Sequence, residues 1–168
     1  SKFTGHQSTY FLMRHGFYVG VGMIAAVVAF QAPLRVWQQA APWLFIGGFT
    51  LLILVLIPHV GRSVNGAQRW LPLGMVNLQP SELMKLFAVL YAADYTSRKL
   101  SDMGSFRRGF LPMAGVMLMV GALLLREPDF GAFVVIVAIA IGILFLGGIN
   151  ARLFSALVVV LLIGFVVL

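Results

Sequence analysis

Charged residues divide the chain into long apolar windows. A helix needs about 20 apolar residues to cross the hydrocarbon of a bilayer. Between Arg14 and Arg35 lie twenty uncharged residues, HGFYVGVGMIAAVVAFQAPL. Between Arg35 and Arg62 lie twenty-six, with WLFIGGFTLLILVLI from Trp43 to Ile57 at their centre. Gly109–Leu125, Phe130–Ala151 and Leu153–Leu168 supply three further windows. A weaker run, Leu83–Tyr95, is interrupted by Lys85 and Asp94. Its neighbours require it to cross if the basic stretch after it and the polar stretch before it lie on opposite sides. The pattern predicts six spans, at 15–34, 43–58, 81–97, 110–125, 130–149 and 153–168, with an external interfacial loop over 59–80 and a basic cytoplasmic loop over 98–109. Lipid offers no partner for backbone polar groups, so each span is expected to be a helix. The expected fold class is all-α, a polytopic integral membrane helix bundle forming one transmembrane domain over 1–168.

Composition narrows the class further. The chain is 61% hydrophobic and 10% charged, with mean hydropathy +0.99, whereas soluble domains carry about 25% charged residues. That content excludes a soluble globular domain and a disordered chain, and the lack of cysteine excludes a disulfide scaffold. The net charge of +7 does not point to nucleic acid, because the basic residues sit between apolar runs. In a membrane protein such residues set topology and meet lipid headgroups. The densest basic cluster, Arg98, Lys99, Arg107 and Arg108, is assigned to the cytoplasm, which places both ends of the chain outside. The chain starts at Ser1 and stops inside the run LVVVLLIGFVVL, the pattern expected of part of a longer protein.

The least regular stretch is Gly61–Lys85, GRSVNGAQRWLPLGMVNLQPSELMK. It is too polar to span, yet it carries Trp70, Leu71, Leu73, Met75 and Val76. Three glycines and two prolines predict turns at the membrane interface, with Trp70 at headgroup depth and Arg69 facing phosphates. A helix is expected to start at its end: Pro80 suits the first turn, Ser81 can cap, and Glu82 meets the positive end of the helix dipole. Lys85 shares a face with Glu82. Two readings stand side by side for that pair. One is a mutually satisfied ion pair near the interface; the other is a pair lining a hydrophilic cavity that opens outward and handles an ionic substrate group.

Other polar residues read as structural. Asp94 pairs with Arg98 at i+4. In Arg126–Gly131, Asp129 reads as a helix cap, and the adjacent Glu127 and Asp129 fit neither carboxylate separation used by glycosidases. His6, His15 and His59 are scattered, so no metal site is expected. Gly20, Gly22, Gly47, Gly48, Gly147 and Gly148 are expected to let helices approach closely.

The string Gly61-Arg62-Ser63-Val64-Asn65-Gly66, then Arg69-Trp70, then Gln79-Pro80-Ser81-Glu82-Leu83 and Lys85 resembles the SEDS family (shape, elongation, division and sporulation). Glu127-Pro128-Asp129-Phe130-Gly131 resembles that family's Gln-Pro-Asp-x-Gly turn, with Glu127 in place of glutamine. The form Val-Asn-Gly-x-x-Arg-Trp, and Asn77 before Leu78-Gln79-Pro80, are closer to the family's division branch than to its elongation branch.

The resemblance implies a ten-helix membrane protein, a peptidoglycan glycosyltransferase that polymerises lipid II into glycan strands during bacterial cell division. It further implies a site on the outer face of the cytoplasmic membrane and a cognate class B penicillin-binding protein, a transpeptidase, among other division proteins, as partner. Against that template the chain matches the second to seventh helices, and the family's catalytic aspartate lies in a downstream loop. No residue here then takes a catalytic role, and the 168-residue chain alone is expected to be inactive. Glu82 and Lys85 match positions lining the central cavity, where Lys85 would position or stabilise substrate and Glu82 would orient Lys85. Arg69 and Arg62 are the phosphate-binding candidates, since the guanidinium fork suits phosphate. Gln79, Pro80, Ser81, Asp129 and Gly131 are motif residues. No cofactor is required by the sequence; a divalent cation, magnesium or manganese, would act at the pyrophosphate.

Two rival classes share the same features. A flippase for lipid II would also place ionisable groups in the membrane, but the inverted repeats common in transporters are not apparent. A scaffold would use the helices mainly to recruit division partners.

Overall fold

The computed structural model describes residues 5–58, 60–64, 67–73, 76–148, 150–152, 154–156 and 158–159. Five α-helices and three short strands follow one another: α1 (Gly5–Gln31), α2 (Leu34–Leu56), β1 (Arg62–Val64), β2 (Ala67–Leu73), β3 (Val76–Leu78), α3 (Pro80–Arg98), α4 (Leu111–Arg126) and α5 (Phe130–Leu146). A 3-10 turn, Leu100–Asp102, and a π-helical turn, Phe106–Phe110, join α3 to α4. Leu34–Leu56 and Phe106–Arg126 are long and apolar enough to cross a membrane. His15–Gln31 and Phe130–Leu146 are shorter apolar helical runs.

The helices overrun the apolar windows. α1 begins at Gly5, before the window at 15, and stops ahead of Pro33. α2 begins at Leu34, well before 43, because Pro42 sits inside the helix rather than ending it. The sixth expected span, 153–168, lies outside the described residues except for 154–156 and 158–159, which are helical. The bundle is helical apart from one end, where the expected loop over 59–80 holds a three-stranded antiparallel sheet of order β1-β2-β3.

The chain divides into two compact units, Ser1–Trp37 and Gln38–Leu168. In the first, the Trp37 indole donates to the Ala29 carbonyl at 3.3 Å across the corner between α1 and α2. Phe17, Met23, Ile24, Val28 and Phe30 on α1 are exposed, as suits a helix whose solvent is lipid.

In the second unit, Met84, Ala88 and Ala92 of α3 meet Met113, Met117, Val120 and Leu124 of α4 and Ala132, Ile136 and Leu144 of α5 in one buried cluster. Phe45 of α2 stacks on Tyr91 of α3 with ring centroids 4.4 Å apart. Small residues permit the closest approaches: a Cβ on Gly48 would lie 2.7 Å from a ring carbon of Phe87, and one on Gly147 2.5 Å from Thr96. Among the described residues a Cβ on Gly20, Gly22 or Gly47 would meet nothing within 4 Å, and Gly148 takes φ +78.

The basic connection between α3 and α4 is anchored, not loose. Met103 is fully buried in the core, and the Tyr95 hydroxyl donates to the Gly109 carbonyl at 3.1 Å. Asp94, buried, accepts from Arg98 at 2.6 Å, the pairing its spacing predicts. A Cβ on Gly109 would fall 2.4 Å from the Asp102 carbonyl oxygen and 2.7 Å from the Met103 Cα. Both neighbours are backbone, so no rotamer relieves the clash. Gly109→Ala is therefore expected to cost about 2 kcal/mol, read as a lower melting temperature of the full-length protein in detergent.

Candidate functional site

The sheet is built from two two-residue connections. Val64 pairs with Ala67 and Leu73 with Val76, while Arg62 pairs with Trp70 across a bulge. Pro72 is tolerated because its half of β2 is paired on one side only, with β3. Gln68 donates to the carbonyls of Ile57 and Gly61, each at 3.1 Å, and so fixes the sheet to the end of α2. Leu71 is buried beneath the sheet, and Arg69 is half-buried.

Two polar stretches about fifty positions apart meet at this end of the bundle. Pro80 opens α3 at its first position, with Gln79 as the extended residue before it. Ser81 does not cap the helix as expected; fully buried, it donates to Asp129 Oδ2 at 2.7 Å. Gln79 Nε2 reaches the same oxygen at 3.2 Å and the Ser81 hydroxyl at 3.0 Å. Asp129 Oδ1 accepts from the Ala132 amide at 3.2 Å, capping α5. One carboxylate thus starts one helix and ties down the start of another.

The electrostatics agree with that geometry. Burial pushes the Asp129 pKa up, but the Ser81 hydroxyl, the Ala132 amide, the Arg69 charge and the Gln79 amide together hold it below its ordinary value of 3.8. Arg69 serves the same turn from β2. Its Nε donates to the Glu127 carbonyl at 3.1 Å and a terminal nitrogen donates to the Pro128 carbonyl. Expected from sequence as a phosphate contact, Arg69 is in this structure a clamp on the turn between α4 and α5. Arg62 is exposed and has no ion pair among the described residues.

Glu82 and Lys85 stand one turn into α3, next to Ser81 but on another side. Lys85 Nζ lies 2.8 Å from both oxygens of Glu82, and their side chains keep 24% and 60% of their exposure, respectively. Because Ser81 and Glu82 are consecutive, the contact with Asp129 sets the rotation of the first turn and hence the direction in which the ion pair projects. Gly131 follows in the first turn of α5 with Asp129 Oδ1 3.8 Å from where its Cβ would be. Among the described residues no group of three or more His, Cys, Asp or Glu converges to hold a metal ion.

Sequence reasoning missed the sheet, the Arg69 clamp and the Ser81–Asp129 contact. Asn65-Gly66 between the strands was a hairpin signal in plain view. For the contact the signal was weaker: polar residues stranded in an apolar chain must satisfy one another.

Fold and site together define a polytopic membrane helix bundle with a polar junction of sheet and helix starts at one end. A family model described as cell cycle protein, covering the FtsW, RodA and SpoVE proteins, matches residues 1–168, and the chain belongs to that family. It is 69% identical over 168 residues to the probable peptidoglycan glycosyltransferase FtsW of Aromatoleum aromaticum, covering all of this chain and 41% of that protein. The protein of the same description from Burkholderia thailandensis is 54% identical over 157 residues, 94% of this chain and 34% of its own. The chain spans well under half the length of these curated relatives. Among solved structures, the rod shape determining protein RodA of Thermus thermophilus matches with TM-score 0.70 and 31% identity over 89% of this chain and 50% of that one. A chain from a peptidoglycan synthase complex, studied for coordination of polymerization and crosslinking, matches with TM-score 0.75 and 30% identity over 95% of this chain and 46% of that one.

Proposed function

We propose that the protein to which this chain belongs is a peptidoglycan glycosyltransferase of cell division, polymerising lipid II into glycan strands at the outer face of the bacterial inner membrane. The observation that carries the reading is 69% identity along the whole chain to a relative described as a probable peptidoglycan glycosyltransferase FtsW. A class B penicillin-binding protein is the proposed partner, in keeping with the likeness to a chain of a peptidoglycan synthase complex.

Glycan polymerisation needs a base for the attacking sugar hydroxyl and stabilisation of the departing lipid pyrophosphate. The base belongs to the catalytic aspartate that the family resemblance puts downstream. This chain supplies positioning and charge. Lys85, oriented by Glu82, presents a cation near the start of α3, and Arg62 is exposed, where it can meet a phosphate. Arg69 acts one step back by holding the 127–129 turn. A divalent cation carried by the pyrophosphate would neutralise charge there, although the described residues bring together no group of three or more His, Cys, Asp or Glu to hold one.

The test is incubation of the full-length protein and its cognate transpeptidase with lipid II in proteoliposomes. Glycan strands are the expected product. Transfer of lipid II between leaflets without strands would put the flippase reading in its place.

A further inference from the structure

Glu127 is the one fully buried charged-type side chain in the described residues for which the function above has no use. It is 0% exposed, and neither of its carboxyl oxygens has a hydrogen-bond partner among the described residues. Its surroundings explain why. Asp129, two residues on, is already supplied by Ser81, Gln79 and the Ala132 amide. Arg69 directs its Nε and one terminal nitrogen to the carbonyls of Glu127 and Pro128 and makes no hydrogen bond to the Glu127 carboxyl.

We propose that Glu127 is a positioning residue held as a neutral carboxylic acid, whose proton keeps the turn between α4 and α5 closed against β2 and so keeps the first turn of α3 aimed. An ionised Glu127 would be an unpaired buried charge beside the ionised Asp129, and burial of such a charge is relieved by protonation or by opening. The charged groups acting on it are Asp129 within the turn, which disfavours ionisation, and Arg69 from β2, which favours it. α3 contributes the neutral Ser81 and Gln79, both spent on Asp129, while its Glu82 and Lys85 pair with each other; Arg126, the last residue of α4, is exposed. Burial is the largest influence, and the balance raises the carboxyl from 4.5 to about 8. The folded turn therefore holds a proton that the opened turn releases. Its closure is strongest at low pH and weakens as pH climbs from about 4.5 to about 8, then levels off.

The activity part of the consequence rests on the glycosyltransferase reading; the structural part does not. The experiment is hydrogen–deuterium exchange of the full-length protein in lipid nanodiscs at pH 6 and pH 9, following the peptide that contains the Ala132 and Phe133 amides. Wild type is compared with Glu127→Gln and with the apolar Glu127→Met. Beyond the base-catalysed rise common to all amides, wild-type opening should increase about 100-fold over that interval, and both variants should lose most of that increase. Lipid II polymerisation should fall as pH climbs towards about 8 in wild type and fall much less in Glu127→Gln. An equal pH response in wild type and both variants would overturn the proposal. Exchange behaving as expected with no strands from any of the three proteins upholds the role of the proton and overturns the glycosyltransferase reading instead.

Discussion

In the full-length protein, Lys85→Ala should slow glycan-strand formation by at least about 100-fold, the loss typical when one preorganised donor to developing charge is removed. Stability should hardly change. The Glu82–Lys85 pair lies on the outer side of α3 with Glu82 60% exposed, and exposed pairs contribute less than about 1 kcal/mol. A purely structural pair would show the reverse, a small fall in melting temperature and an unaffected rate. Glu82→Gln should act in the same direction and more weakly, because the ammonium remains but loses its orienting partner. Lys85→Arg should not restore the rate, since a planar fork does not replace a compact cation. The check is a lipid II polymerisation assay on membrane-inserted protein of matched melting temperature. Wild-type rates in Lys85→Ala would remove this pair from the site.

Asp129→Ala should destabilise the protein by about 3 kcal/mol, the sum expected for a lost helix cap and charge-assisted hydrogen bonds. The variant leaves the Ser81 hydroxyl and the Ala132 amide without their acceptor and takes one of two acceptors from the Gln79 amide. Thermal unfolding in detergent reads the loss, and polymerisation should fall with it, because the first turn of α3 is no longer held. The pH dependence separates this carboxyl from its neighbour. Asp129 is more acidic in the folded protein than its ordinary 3.8, so its contribution is present above that value and disappears as pH falls through its lower folded value. Glu127 is shifted the other way and weakens the turn as pH rises. Stability should thus decline on both sides of a maximum near pH 4 to 5, and Glu127→Gln should remove only the alkaline decline.

The helices were legible because lipid leaves an apolar chain few alternatives. Windows between charges located α4 and α5 closely, and Pro80 marked the start of α3. The boundaries of α1 and α2 were not legible: apolar windows measure contact with hydrocarbon, whereas helices continue past it through Arg35 and around Pro42. The sheet was missed because glycine and proline were read as turn formers without the strands between them, although Asn65-Gly66 separates two residues that pair, Val64 and Ala67. Glu82 and Lys85 were found because their contact is local, three residues apart on one helix. Ser81 and Asp129 were not joined because their contact is long-range, and each had a plausible local task as a cap. Asp129 performs that task as well, which concealed the second one. The burial of Glu127 carried no sequence signal at all; only packing against Asp129 and β2 makes it visible.

Whether the two motifs form one junction that aims the Glu82–Lys85 pair is tested most directly by a double-mutant cycle on Ser81 and Asp129. Unfolding free energies of the full-length protein would be compared for wild type, Ser81→Ala, Asp129→Ala and the double variant. A coupling of about 1.5 kcal/mol or more, with the double variant little worse than Asp129→Ala, is the result expected of a buried charge-assisted hydrogen bond. Single effects that add to within about 0.5 kcal/mol would contradict it, and the two motifs would then be separate helix starts.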